Sequence, residues 1–282
     1  RSHRRRAGRQ AAARPGPVVS TGVLHPNALR QGAALVRRSV VGTLREAHLL
    51  APSLVFPLFF AALSSASFNR AVSLPGFPEV DSFLDFLLAG TILQGVMFGS
   101  VQGATGLATD IEQGFFERLL ASPVARTSIV AGRLGSAFVM GAAQALLFTV
   151  VFVIFGVTIK SGPVGFVILL LAGGLIALAF GSLMGSVAIR TGSQEAVQGA
   201  FPLVFISLFL SSAFFPRETM SGWYRRVADV NPVSHIAEGL RQLVIGDLTL
   251  SAVARAIGIP LAISALGIAL AVRSLNRRIA KR

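Results

Sequence analysis

The chain has 282 residues, of which 53% are apolar and only 13% are Asp, Glu, Lys or Arg, too little charge to cover a water-soluble domain of that size. Its 26 Lys and Arg against 12 Asp and Glu leave a net charge of +14, but the arginines gather at the two ends without interleaved aromatics, which points to anionic lipid and away from nucleic acid. The absence of cysteine excludes disulfides and thiolate metal sites, and His3, His25, His48 and His235 are too scattered to form a metal site.

Residues 1–26 carry Arg4, Arg5, Arg6, Arg9 and Arg14 among Ala, Gly and Pro with no apolar periodicity. They read as a disordered basic tail, and they lack the apolar core of a signal peptide. Over 27–48, Leu29, Ala33, Val36, Val40, Leu44 and Ala47 recur at spacings of three and four, while Arg30, Arg37, Arg38 and Arg45 gather on the other face. The pattern predicts an amphipathic helix lying in the membrane interface, N-capped by Asn27, with its arginines on lipid phosphates.

Six long runs without an ionisable side chain follow, over 49–68, 86–108, 134–159, 164–189, 196–215 and 256–272. Each is long enough to cross a bilayer; the last reaches roughly 25 Å, sufficient if the flanking Arg255 and Arg273 snorkel. An even number of spans puts both termini on one side. Placing them in the cytoplasm of a cell with this chain in its plasma membrane puts most of the 26 basic residues inside. The fold class is therefore an all-α, multi-pass membrane protein with six transmembrane helices over 49–274. An N-terminal interfacial helix, short extracellular helices before the last span and a basic cytoplasmic tail over 275–282 complete it.

Small residues stack one turn apart within the spans: Gly95, Gly99 and Gly103 in the second, and Gly173, Ala177, Gly181 and Gly185 in the fourth. Such stripes let helix backbones approach closely and report packing. Pro52, Pro57, Pro202 and Pro260 remove backbone donors inside spans, which neighbouring helices can compensate. Gln94, Gln102, Gln144 and Gln198 are the conspicuous polar side chains at depth, either interhelical hydrogen-bonding groups or contacts along a substrate path. No carboxylate, lysine or histidine sits in mid-span, where a proton-coupled pump needs a titrating group. Asp81 and Asp85 lack the second acidic cluster that magnesium–diphosphate chemistry requires and read as solvated residues of an outer loop.

Two connections carry more information than the spans. The first, over 109–133, begins with Asp110 and Glu112 and then sets Phe115, Phe116, Leu119 and Leu120 at helical spacing, one apolar face on a short cytoplasmic helix. Ser122 as N-cap and Pro123 as first helical residue restart the chain into the third span. Such a helix needs a protein partner or the membrane surface. The second, over 216–255, is too long for a bare turn. It holds Trp223 and Tyr224, suited to a membrane interface, and Asn231 and Pro232, which start a helix. On that helix Ile236, Leu240, Leu243 and Val244 face lipid or protein, while Glu238, Arg241 and Gln242 face elsewhere.

The run Glu112-Gln113-Gly114-Phe115-Phe116-Glu117-Arg118-Leu119-Leu120-Ala121-Ser122-Pro123 resembles the cytoplasmic loop of ABC-2 type transporter permeases. Asn231-Pro232-Val233-Ser234-His235-Ile236-Ala237-Glu238-Gly239-Leu240-Arg241 resembles that family's segment before the last span. The likeness runs in order and spacing over 27–273 and is closest to membrane subunits of daunorubicin-resistance exporters. Phe115 and Phe116 depart from it, since many relatives carry a small or polar residue and Thr there. The resemblance implies a non-enzymatic permease subunit that moves a hydrophobic or amphipathic drug, lipid or glycolipid outward by alternating access. It implies an ATPase subunit docked on Glu112, Gly114, Phe115, Phe116, Glu117, Arg118, Leu119 and Leu120, a second permease copy, identical or related, and a 216–255 segment of two short helices dipping into the outer leaflet. No phosphate-binding Gly-x-x-x-x-Gly-Lys-Ser/Thr loop is present, so ATP and magnesium are expected in the partner and no cofactor in this chain. A secondary transporter and a scaffold without transport activity are the rival classes; the first wants a titrating residue in mid-span, and the second leaves the apolar loop without a purpose.

Overall fold

The computed structural model of the chain describes residues 47–73, 75–115, 118 and 126–280. The expected tail over 1–26, nearly all of the expected interfacial helix over 27–48, and residues 281–282 lie outside the described residues. All regular structure among the described residues is helical. In chain order the helices are α1 (Ala47–Phe68), α2 (Phe83–Glu112), α3 (Arg126–Ile154), α4 (Gly162–Thr191), α5 (Gln194–Gly199), α6 (Phe201–Phe209), α7 (Gly222–Val230), α8 (Pro232–Ile245), α9 (Leu250–Val253) and α10 (Ile259–Ala280). Among the described residues, five helical stretches are long and apolar enough to cross a membrane: Ala51–Ser73, Phe83–Glu112, Gly132–Ile154, Gly162–Thr191 and Leu250–Arg278.

The fifth apolar run, over 196–215, does not form one long helix. It is divided at Ala200, ahead of Pro202, into α5 and α6, and its helical part ends at Phe209. Proline accounts for the break, because it has no N–H to donate one turn back and its ring crowds the carbonyl there. The end at Phe209 is made by the returning segment. The Tyr224 hydroxyl donates to the Phe209 carbonyl at 2.9 Å, and Asn231 Nδ2 donates to the carbonyls of Ser207 at 2.6 Å and Leu210 at 3.2 Å. Arg241 Nη2 donates to those of Ser212 at 2.6 Å and Ala213 at 3.1 Å. A helix end leaves carbonyls without intrahelical partners, and here three side chains supply the donors inside the protein. Burial pushes the Tyr224 phenol above its ordinary pKa.

The last span also begins earlier than its charge-free run, as α9 and a π-helical turn (Ala254–Gly258) lead into α10. Pro260 cannot donate to the carbonyl of Ala256, and a π turn is one way a helix absorbs such a loss. Gly239 of α8 crosses that turn so closely that a Cβ there would stand 2.6 Å from the Ala256 nitrogen.

α2 is the axis of the bundle. It runs about 45 Å at 1.5 Å per residue. Phe86, Leu88, Ile92, Leu93, Val96 and Met97 are fully buried, enclosed by α1, α3, α4, α6 and α8. α1 leans mainly on α2 and leaves Val55, Phe59 and Leu63 exposed on its outer face. That exposure is what lipid as solvent allows.

The N-terminus of α2 corrects one expectation. Asp85 is no solvated loop residue but the third residue of the helix, buried, with its Oδ2 accepting from the Ser82 N–H at 2.8 Å while Ser82 Oγ accepts from the Asp85 N–H at 3.4 Å. This is a capping box. Asp81 stays exposed, 3.9 Å from Lys160. Replacing Asp85 by Ala is therefore expected to lower stability by about 1 kcal/mol, read as an earlier thermal melt in detergent, while Asp81→Asn should leave the melt unchanged.

Candidate functional site

The end of the bundle that carries the 113–125 connection, hereafter the loop end, is where four helices part. Toward the far end they are tightly packed. Gly141 of α3 faces Gly173 of α4, and a Cβ on Gly173 would lie 2.5 Å from the Ala145 Cβ and 2.9 Å from the Gly141 carbonyl oxygen. Gly95 of α2 seats the Phe148 ring, and a Cβ on Gly99 would lie 2.7 Å from the Gln144 amide. Toward the loop end the same stripes open. A Cβ on Gly181 would meet only Ala137, and one on Gly185 only Leu107, each at 3.8 Å, while Gly103 would meet nothing within 4 Å. The helices leave between them a cavity of about 540 Å³, walled by α2, α3, α4 and α10. Gly103, expected to pack against a neighbour, lines open space instead.

The four glutamines separate. Gln102 and Gln144 come together on the cavity wall. Gln144 Nε2 donates to Ser53 Oγ of α1 at 3.1 Å, so this amide ties two helices. Gln94 is fully buried off the wall, and its amide has no hydrogen-bond partner among the described residues. Gln198 is exposed on α5, also off the wall. At the cavity mouth, Asp110 in the last turn of α2 is ion-paired with Arg133, two turns into α3, and both side chains line the space.

Further hydrogen bonds fasten the loop end. Glu112 Oε1 accepts from the Gln194 N–H at 2.7 Å, which caps α5, and Thr109 Oγ1 donates to Gln194 Oε1 at 3.0 Å. Arg278 Nη1 donates to the Ile189 carbonyl at 3.0 Å, which sets the end of α10 beside the end of α4. Gly114, at φ +69°, takes the left-handed conformation that turns the chain off the α2 axis. A new helical bond from the Arg118 N–H to the Gly114 carbonyl follows at 3.3 Å. Phe115 is half-buried and Arg118 exposed. Phe116, Glu117, Leu119 and Leu120 lie outside the described residues, as do Ser122 and Pro123.

At the far end, α8 packs on α2 with Ile236, Leu240, Leu243 and Val244 fully buried. Arg241, expected to face away with Glu238, is buried with them, its guanidinium 3.8 Å over the Phe86 ring. Burial lowers its pKa to about 10, with Glu238 and then Glu218 drawing it back up and Arg217 opposing them, so it remains charged at neutral pH. Glu238 receives Arg217 at 2.6 Å and Arg255 at 3.5 Å. Sequence reasoning missed this clasp, although Arg241 sits four residues after Ala237 and three before Val244, on the apolar stripe of α8. Among the described residues no three His, Asp or Glu side chains gather as metal ligands.

Residues 30–245 match the family model of ABC-2 type transporters. The chain belongs to the ABC-2 type transporter family. It is a membrane permease, a transport subunit, and permeases of this family work with a separate ATPase. The matched region includes the loop-end motif and all of α8. The permease is 29% identical over 194 residues to the daunorubicin resistance ABC transporter permease protein DrrB1 of Streptomyces coeruleorubidus, an alignment covering 68% of this chain and 67% of that one. It is 30% identical over 217 residues to a chain named as a transport permease, ycf38, of Pyropia yezoensis, covering 74% and 72%. With the chain named as a multidrug ABC transporter permease, YbhR, of Escherichia coli (strain K12), it shares 25% identity over 168 residues, covering 59% of this permease and 44% of that chain.

Proposed function

We propose that this permease exports a hydrophobic or amphipathic molecule, of the drug or lipid class, by alternating access driven by an ATPase docked at the loop end. The observation that carries the reading is that the cavity and the 113–125 connection share one end of the bundle, joined by the buried axis α2. In this reading both termini and the loop end face the cytoplasm, and α5 with α6 serves as a sixth membrane-embedded segment. A second permease copy completes the path in the plasma membrane, and the basic N-terminal region meets anionic lipid. ATP and magnesium bind in the ATPase, whose closure displaces the connection and, through it, the ends of α2 and α3 that bear Asp110 and Arg133. A rigid helix carries that displacement to the far end, where α2 meets α8 at Phe86. The names of the relatives, a daunorubicin resistance permease among them, support a drug-like cargo for this chain.

The experiment co-expresses the permease with its cognate ATPase and follows uptake of a fluorescent amphiphile into inverted vesicles, whose cytoplasmic face is turned outward so that export fills the lumen. ATP-driven accumulation that disappears without either subunit is expected, and accumulation that is indifferent to ATP would refute export. The docking face is tested separately. Phe116→Asp with Leu119→Asp removes the apolar face of the connection, worth a few kcal/mol at about 25 cal/mol per Å², and should reduce copurification of the ATPase more than tenfold. Undiminished capture would assign that face to the membrane surface.

A further inference from the structure

The mouth of the cavity carries one carboxylate and one guanidinium, and no other charged side chain among the described residues lines the space. Asp110 and Arg133 sit opposite one another across the gap between α2 and α3, each side chain 36% exposed. Behind them the wall is largely apolar, with Val96, Leu134, Ala137, Met140 and Ile268, and its volume of about 540 Å³ suits one drug-sized molecule.

An amphiphile entering tail first leaves its head group beside this ion pair. An anionic head that engages Arg133 displaces Asp110, whose charge is then partly desolvated without a counter-ion; a cationic head that engages Asp110 does the same to Arg133. A ligand seated at the mouth displaces the water that now reaches both side chains, and once that water is gone, stranding one member of the pair costs more than the pair itself contributes. A zwitterionic head avoids the penalty by exchange, its anionic group taking Arg133 and its ammonium taking Asp110, so that one ion pair becomes two. We propose that the Asp110–Arg133 pair is a charge filter, a specificity determinant that admits amphiphiles of zero net charge, zwitterions above all, and turns away those of either sign. The filter rests on the reading of the cavity as the compartment that receives the cargo.

The test uses the full chain without ATPase or nucleotide, in a neutral maltoside detergent held at one fixed concentration, so that its own competition for the cavity is the same for every probe and the order of the probes is what is read. Three fluorescent probes share one dodecyl-length tail and carry a phosphocholine, a sulfate or a trimethylammonium head. The phosphocholine probe is expected to bind about tenfold more tightly than either charged probe. Asp110→Asn should bring the sulfate probe to the top of the order, Arg133→Gln the trimethylammonium probe, and the exchanged double variant Asp110→Arg/Arg133→Asp should restore the parental order. Gly103→Leu, which projects into the cavity, should weaken all three. The filter is overturned if both single variants keep the parental order, because the pair is then only a tie between helices, or if Gly103→Leu leaves binding intact, because the probes then sit elsewhere. A reordered binding series with no ATP-driven efflux would overturn the export reading and leave the filter standing.

Discussion

Gly173→Leu is expected to prevent folded permease from accumulating, whereas Gly103→Leu should melt no earlier than the parent chain. Both positions are glycines on small-residue stripes, so the contrast isolates what surrounds them. At Gly173 a new Cβ would lie 2.5 Å from the Ala145 Cβ and 2.9 Å from the Gly141 carbonyl oxygen, atoms that no rotamer change can move. α3 and α4 would have to separate along their whole contact, and in lipid no hydrophobic effect between helices restores the loss. Overpacking a rigid core typically costs about 1–3 kcal/mol, and one that forces backbones apart falls at or beyond the upper end. Gly103 would meet nothing within 4 Å, so Leu there only replaces the poorest ordinary helix former by a good one, worth just under about 1 kcal/mol. Size-exclusion profiles and thermal melts in detergent read the difference. Equal behaviour of the two variants would mean that α3 and α4 do not cross at Gly141 and Gly173.

That contrast shows where sequence stops. Spacing placed Gly95, Gly99 and Gly103 on one face, and Gly173 to Gly185 on another, but whether such faces meet or part depends on the angle at which helices cross. Gly141, which makes the closest crossing with Gly173, belongs to neither stripe. Five helices were legible because lipid tolerates no charge along a span, and that rule fixes their middles better than their ends: the run over 86–108 is helical from Phe83 to Glu112. The run over 196–215 obeys the same rule and still turns at Phe209. Its stop is set by Tyr224, Asn231 and Arg241, donors supplied from beyond the turn, which no local pattern announces. Two features were present in the sequence and misread. Ser82 and Asp85 stand at capping-box spacing, and Arg241 lies on an apolar stripe, but charge taken by itself argues for water and hides both. The cavity was illegible, since it exists only where four helices diverge. Its two charges were visible as the flanks of one connection, and their pairing required the ends of α2 and α3 to meet.

Arg241→Met is expected to destabilise the far end by about 3–5 kcal/mol, although methionine matches much of the volume and suits an apolar site. The guanidinium serves three purposes at once: it donates to the carbonyls of Ser212 and Ala213, lies 3.8 Å over the Phe86 ring, and faces Glu238 across the clasp. Methionine removes every donor, and each buried carbonyl left unpaired costs about 1–3 kcal/mol. Arg241→Lys keeps the charge but loses the planar fork that reaches two carbonyls while stacking on a ring, so it should fall between Met and the parent. Arg255→Met supplies the control. Its partner is the same Glu238, at 3.5 Å, but its side chain is 52% exposed, and such a pair contributes about 0–1 kcal/mol. Thermal melts should therefore rank parent, Arg255→Met, Arg241→Lys and Arg241→Met in falling order. Because the chain has no cysteine, Ser212→Cys provides a second readout free of background. Ser212 is buried in the turn that Arg241 holds, so a thiol there should react slowly with maleimide in the parent chain and many times faster once Arg241 is Met. If Arg241→Met melts with Arg255→Met and the thiol stays protected, the turn after α6 is held without Arg241, by Tyr224, Asn231 and the Ser212 N–H bond to Ser234 Oγ at 3.1 Å. The end of α2 at Phe86 would then be free to move without breaking a buried charge, and far-end opening would need no ionic release.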